Sequence, residues 1–197
     1  LFHEGFERDI FPPPQWDTTQ TSTVYWLRYV GSAFQGSCHA RVKITDATNS
    51  GEIILMTDTI DISDTEPETL RYWYRFTYST ASFGDSDTIY VEISVDSGKT
   101  WNILTFYKLG DETNTWTGEK FDLTSYNGAI ILRFRFVDKV GASATTSRYF
   151  WLDSVWIYSR LPNSPPKITI IKCLPRIPDS SDNVTVIAKI KDDYDAI

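Results

Sequence analysis

Period-two alternation of apolar and polar residues runs through the chain, and no helix-length stretch spaces apolar residues three and four apart. From Leu70 to Tyr78, the residues Leu70, Tyr72, Tyr74, Phe76 and Tyr78 share one face, and Arg71, Trp73, Arg75 and Thr77 take the other. From Thr88 to Val95, Ile89, Val91, Ile93 and Val95 oppose Tyr90, Glu92 and Ser94. From Ile130 to Val137, Ile130, Leu132, Phe134 and Phe136 oppose Ile131, Arg133, Arg135 and Val137. Each segment reads as a strand with one core face and one polar face, the pattern of an antiparallel sandwich. The joints carry turn residues: Asp96-Ser97-Gly98 before Trp101, and Tyr126-Asn127-Gly128 before the Ile130 segment. The proline-rich stretch from Phe11 to Trp16 is expected to be an extended surface connection, because its prolines lack backbone donors. Short strands with no crossover helix predict an all-β fold, an antiparallel jelly-roll β-sandwich.

The pattern breaks near Leu161, where Leu161-Pro162-Asn163-Ser164-Pro165-Pro166 reads as a linker. Beyond it, Lys167–Lys172 and Val184–Ile190 are expected as two strands, and two strands cannot bury a core of their own. The expected organisation is therefore a jelly roll over 1–161, then a linker and the opening of an immunoglobulin-like β domain over 162–197. Val184, Val186, Ala188 and Ile190 alternate with Thr185, Ile187 and Lys189, so one face wants a partner sheet. Strand-mediated assembly with another chain through residues 167–190 is one route to covering it.

Charge and composition narrow the partners. With 19 Lys and Arg against 26 Asp and Glu, the net charge is −7, which repels a phosphate backbone and argues against nucleic acid. No apolar run approaches the roughly 18 residues of a membrane span, so membrane insertion is not expected. The chain opens on strand-like residues with no signal peptide and reads as a mature or excised fragment. Two cysteines, Cys38 and Cys173, leave both a single bridge and two free thiols open.

Catalytic patterns are wanting. His3 and His39 have no two-histidine metal spacing. Cys38 and His39 are adjacent, so in a strand they leave on opposite faces and cannot act as nucleophile and base. Glu92 has no second carboxylate evident in the neighbouring alternation, as a retaining glycosidase would need. The expectation is a protein that is not an enzyme.

Four ordered segments carry a family resemblance. They are Phe6-Glu7 with the Phe11–Trp16 proline-tryptophan stretch; Leu55 to Ser63, with Asp58 where the family usually has proline; Val91 to Trp101; and Phe150 to Ile157, with Ser154 where a second aspartate is common. Over about residues 1 to 160 the chain resembles the cleaved-adhesin and choice-of-anchor J domains, relatives of MAM domains and of jelly-roll carbohydrate-binding modules. The third segment also fits an Asp-box through Ser94, Asp96, Gly98 and Trp101, a structural turn motif.

The resemblance implies a structural calcium ion held by Glu7 in the first strand and Asp153 in the last, because a hard cation takes carboxylate and carbonyl oxygens from several segments. The sequence adds its own hint at Asp153. Phe150 and Leu152 are apolar at even positions and Val155 and Ile157 at odd ones, so the inward face changes phase, as a β-bulge at Asp153-Ser154 would cause. Asp9 is a further candidate ligand, and backbone carbonyls near Ser37 would complete the shell.

A ligand face is also readable. Arg71, Trp73 and Arg75, then Tyr90 and Glu92, then Arg133 and Arg135, occupy the polar faces of three strands. If those strands share one sheet, they form a patch able to stack a sugar on Trp73 or to hold an acidic glycan or peptide. The alternative is a plain sheet face whose arginines stack on aromatics, or one covered by loops or a neighbouring domain. The functional expectation is a non-catalytic binding or adhesion module at the cell surface or outside the cell, with a glycan or surface protein as partner. An accessory domain of a secreted enzyme such as a protease, and a structural spacer in a surface filament, are the other two readings.

Overall fold

The structure, a computed structural model, describes residues 2–19, 24–44, 51–63, 68–78, 88–108, 111–138, 148–159, 167–174 and 185–191. The chain divides into two compact units, Leu1–Ser159 and Arg160–Ile197. The described secondary structure is all strand: β1 (Phe2–Glu4), β2 (Trp16–Thr18), β3 (Val24–Val30), β4 (Cys38–Ile44), β5 (Gly51–Thr57), β6 (Ile60–Asp61), β7 (Glu68–Tyr78), β8 (Thr88–Ser94), β9 (Asn102–Lys108), β10 (Thr117–Asp122), β11 (Ala129–Asp138) and β12 (Arg148–Ser159) in the first unit, with β13 (Lys167–Leu174) and β14 (Thr185–Lys191) in the second.

Two antiparallel sheets form the first unit. One runs β10-β7-β12-β4-β3, with β1 also on β12; the other runs β2-β5-β11-β8-β9, with β6 also on β11. Alternation decides which side of each strand is buried. Leu70, Tyr72, Tyr74 and Phe76 of β7 face Ile89, Val91 and Ile93 of β8 and Leu132, Phe134 and Phe136 of β11 in one core. Aromatic rings fill its middle: Tyr74 stacks on Phe150 at 5.7 Å and Tyr72 meets Phe134 edge-on at 5.3 Å. The Tyr72 and Tyr107 hydroxyls meet at 2.6 Å, so β7 of one sheet and β9 of the other share a buried hydrogen bond that satisfies both phenols.

The Asp-box forms as its residue types require. Asp96 Oδ1 accepts the Ser94 hydroxyl at 2.8 Å and the Thr100 N–H at 2.9 Å, Gly98 adopts φ +83°, and Trp101 Nε1 donates to the Gly98 carbonyl at 3.1 Å. This turn ends β8 at Ser94, one residue short of the alternation, and leaves Val95 exposed.

The proline-rich stretch differs from the extended connection expected of it. The Trp16 N–H donates to the Pro13 carbonyl at 3.0 Å, Gln15 takes φ +69°, and the Phe11-Pro12 bond is cis. The turn has a purpose: it delivers the Trp16 indole into the core, where it packs on Phe2, Phe6 and Phe134. In the second unit β13 and β14 pair antiparallel, with a register shift between Ile170 and Lys172.

Candidate functional site

The bulge read from the phase change lies where β12 crosses β7. Pairing is regular up to Asp153 opposite Trp73 and resumes at Trp156 opposite Arg71. Phe150, Leu152, Val155 and Ile157 are all buried, which needs the extra residue between the two apolar pairs. The bulge turns the Asp153 carboxylate toward the loop that joins β3 to β4. Oδ2 accepts the N–H groups of Phe34 at 2.8 Å and Gln35 at 3.1 Å, and Oδ1 accepts that of Ser154 at 2.6 Å. Glu7 grips the same loop from the N-terminal side, its Oε1 accepting the N–H groups of Ser37 and Cys38, each at 2.9 Å. The two carboxylates that the family resemblance pairs thus converge on residues 34–38.

Asp153 is fully buried and no cationic side chain is paired with it or with Glu7 among the described residues. Burial therefore pushes its pKa up to about 6; the three N–H donors pull the other way, and the charge on Glu7 adds to the push. The backbone is strained beside each carboxylate, with Phe6 at φ +58° and Ser154 at φ +49°. Gly36 explains how closely the loop approaches. It adopts φ +71°, and a Cβ there would lie 2.4 Å from Glu7 Oε1. Gly36→Ala should therefore displace the Glu7 carboxylate and cost about 1–2 kcal/mol, read as a lower melting temperature. An unchanged melt would show that the loop yields without loss.

Asp9 and Ser37, the further candidate ligands, both have partners within the protein. Asp9 is turned outward to Arg28, with Oδ1 3.1 Å from Nη2, because that guanidinium is already anchored on the Phe6 and Glu7 carbonyls at 3.0 Å each. Ser37 meets Glu7 through its N–H, and its carbonyl is engaged by the Gly31 N–H at 2.6 Å. No group of three or more His, Cys, Asp and Glu side chains gathers at one point among the described residues. A metal held by Glu7 and Asp153 would draw its other oxygens from backbone and water. Cys38, next to this loop, is a buried free thiol.

The seven residues of the expected ligand patch do not lie on one sheet. Arg71, Trp73 and Arg75 belong to β7, whereas Tyr90 and Glu92 of β8 and Arg133 and Arg135 of β11 belong to the other sheet, so they occupy opposite outer faces of the sandwich. Alternation fixes which way a side chain points relative to its own sheet and carries no information about sheet membership.

On the outer face of the second sheet the polar groups satisfy one another. Glu92 is buried and accepts Arg133 Nε at 2.6 Å, Arg135 Nε at 2.8 Å and Arg135 Nη2 at 2.8 Å. Arg133 lies 3.7 Å over Trp101 and Arg135 4.4 Å over Tyr90. This face is a closed ionic lattice.

The outer face of the first sheet is different. Trp73 is sandwiched, with the Phe34 ring stacked at 4.2 Å and the Arg71 guanidinium at 4.0 Å; two groups that near one ring must take opposite sides. Gly118, opposite Trp73 in register, makes room for the indole, since a Cβ there would lie 3.1 Å from Nε1. Two residues along β7, Arg75 sits 4.3 Å over Trp151, whose ring also stacks on His39 at 4.8 Å. Trp116 crosses above them, 5.6 Å from His39, its Nε1 donating to the Ser32 carbonyl at 2.9 Å. His39 is fully buried there, and neither of its nitrogens makes a hydrogen bond of normal geometry; nor do Arg75 Nε and Trp151 Nε1, both buried. Burial, then the charges of Arg41 and Arg75, lower the His39 pKa to about 4, so the ring is neutral at physiological pH. Nothing in the alternation marked His39, Trp116 or Phe34 as members of this face: two are in loops, and the third looks like any strand residue.

Comparison with known proteins places this geometry. No curated protein matches the sequence. Among solved structures, the glycoside hydrolase domain of Endo-D from Streptococcus pneumoniae R6 is similar at TM-score 0.53 and 18% identity, over 92% of this chain and 27% of that one. The chain thus spans about a quarter of that relative's length. The K1 cleaved adhesin domain of Lys-gingipain from Porphyromonas gingivalis W83 is similar at TM-score 0.53 and 16% identity, over 81% of this chain and 98% of that one. The CBM22-1 xylan-binding domain of Xyn10C from Paenibacillus barcinonensis is similar at TM-score 0.50 and 12% identity, over 80% and 92%. At these identities the likeness is one of fold, the antiparallel β-sandwich. The family model of reelin subrepeat B matches residues 30–158, more than half of the sequence and the strands from β4 to β12, so this chain belongs to the reelin subrepeat B family.

Proposed function

We propose that the chain is a non-catalytic binding module of an extracellular or surface protein, with a structural calcium ion at Glu7 and Asp153 and a ligand surface on the outer face of the β10-β7-β12-β4-β3 sheet. The observation that carries the reading is that face. Its aromatic and arginine side chains are locked by stacking, and the loop that carries Phe34 is laid over them. Side chains already held rigid lose little freedom on engaging a ligand. The similar xylan-binding domain supports a glycan as the ligand, and the similar cleaved adhesin domain supports kinship with the cleaved-adhesin, choice-of-anchor J and MAM jelly rolls.

Calcium suits the pair of carboxylates. Both offer hard oxygens, the second oxygen of Glu7 accepts no hydrogen bond from the described residues, and a divalent cation would compensate the burial of the Asp153 carboxylate, to which the Glu7 charge adds. The ion would stiffen the loop that carries Phe34 onto Trp73. The β13–β14 ribbon is read in the same proposal as part of an immunoglobulin-like unit and a possible route to strand-mediated assembly, since two strands alone are marginal in water.

A glycan panel probed with the 197-residue chain in calcium, and again in excess chelator, tests the reading. Binding in calcium that weakens in chelator and in Trp73→Ala is expected. Failure to bind any saccharide in calcium would sink it.

A further inference from the structure

We infer that the outer face of the first sheet selects an acidic saccharide, one carrying carboxylate or sulfate groups along its chain, through the guanidinium edges of Arg71 and Arg75. This rests on the glycan-binding reading above and adds to it the chemistry of the ligand.

The usual way for a β-sandwich face to hold a neutral sugar is to lay its apolar side on an open indole. Neither Trp73 nor Trp151 offers one, and Trp156, opposite Arg71 in register on the same face, has the His3 ring against it at 4.4 Å. Trp73 has Phe34 on one side and Arg71 on the other, and Trp151 is stacked between Arg75 and His39. A sugar ring could reach either indole only by displacing a neighbour from a contact of 4–5 Å.

The guanidinium groups are in the opposite condition. Stacking uses the face of a guanidinium and leaves its N–H donors directed outward in the plane, in the fork geometry that fits a carboxylate or sulfate. Arg71 is exposed and Arg75 half-buried, and neither has a carboxylate partner among the described residues. Arg75 Nε is buried with no acceptor at all. On the opposite face, by contrast, Arg133 and Arg135 have their acceptor built in as Glu92. The one carboxylate in the same register row as Trp73 is Asp153, and it is turned onto the amides of Phe34, Gln35 and Ser154, with neither guanidinium among its ion-pair partners. A chain of net charge −7 thus presents two indole-braced cations with no counter-charge among the described residues, a place that an anionic ligand would fill.

The spacing favours a polymer over a single small anion. Arg71 and Arg75 are four residues apart on one strand, roughly 13 Å at about 3.3 Å per residue, so one small anion reaches only one of them. A polysaccharide with repeating charges engages both, and the second contact is intramolecular.

The test compares the whole chain, in calcium, on immobilised heparin, polygalacturonate, neutral xylan and polyglutamate, across a salt series. Binding to the two acidic polysaccharides is expected to exceed that to xylan and to weaken with salt. Arg71→Gln, at an exposed position, should reduce it roughly tenfold, the size of one lost charge-assisted contact. Arg75→Lys, which keeps the charge and loses the fork, should reduce it as well, with the melting temperature recorded for both variants to exclude unfolding. Equal binding to xylan that survives Arg71→Gln would overturn the inference and leave the glycan reading standing. Polyglutamate bound as well as the polysaccharides would overturn it in favour of an acidic peptide. Silence on every saccharide would remove both the inference and the reading beneath it.

Discussion

In excess chelator, His39→Phe should become more stable as the pH falls from 6.5 to 4.5, by about 2 kcal/mol, while the parent protein stays nearly flat over the same range. Two buried groups oppose each other there. Asp153 has its pKa raised from 3.8 to about 6 by burial, so between those values the folded state binds the extra proton and stability grows on acidification. His39 has its pKa lowered from 6.5 to about 4, again chiefly by burial, so in nearly the same window the unfolded state binds the extra proton and stability falls. Each shift spans about 2 pH units, worth about 3 kcal/mol at 1.36 kcal/mol per unit, and the two nearly cancel. Phenylalanine can keep the ring contacts with Trp151 and Trp116 and removes only the titration. Calcium should reverse the sign: an ion on Asp153 holds it ionised, so acidification expels the metal and lowers stability. At a hundredfold excess over its dissociation constant, the ion should add about 2.7 kcal/mol. Thermal melts of parent and variant at three pH values, with and without calcium, read all of this. A flat profile for His39→Phe in chelator would show that Asp153 is not held protonated by its surroundings, and identical melts with and without calcium would remove the metal.

What the sequence made legible was whatever a periodicity can encode. The buried faces of β7, β8 and β11 follow from alternation because a core on one side imposes it, and the phase slip from Leu152 to Val155 located the bulge because a buried strand cannot change face without an extra residue. The pairing of Glu7 with Asp153 was reachable only through the family resemblance, since nothing local links positions so far apart. Three things were not legible. Sheet membership is a matter of topology, so the arginines of β7 and β11 looked like one patch although they lie on opposite faces. The loop over residues 31–37 has no period to read, yet it supplies the Phe34 ring on Trp73 and the amides that both carboxylates hold. His39 sits at a polar-face position of β4, and its burial depends on Trp116 crossing from a distant loop. Glu92 is the converse case: an outward-facing carboxylate that two neighbours bury.

Glu92→Ala should destabilise the fold by about 3 kcal/mol, the largest effect expected of any single charge on the second sheet. Its carboxylate receives three guanidinium N–H groups within 2.8 Å, and the side chains of Glu92, Arg133 and Arg135 are only 3%, 15% and 18% exposed. Burial alone would raise its pKa; the hydrogen bonds from Arg135 and then Arg133 outweigh that and hold it below the usual carboxylate range. The stability it contributes is therefore present above about pH 4.5 and lost as the pH falls through the depressed value. Among the described residues, removing the carboxylate leaves Arg133 the Trp101 ring and Arg135 the half-exposed Glu52 and the Tyr90 ring, so the cost is mainly that of uncompensated buried charge. That account makes a second demand. Replacing the triad together, as Glu92→Leu with Arg133→Met and Arg135→Met, should recover most of the loss, because well-packed apolar groups of similar volume need no counter-ion. Denaturant melts of the single and triple variants decide it. A triple variant less stable than Glu92→Ala would mean that the lattice acts by attraction and not by mutual neutralisation. A single variant within about 0.5 kcal/mol of the parent would show that water reaches the arginines and that this face is less closed than its geometry indicates.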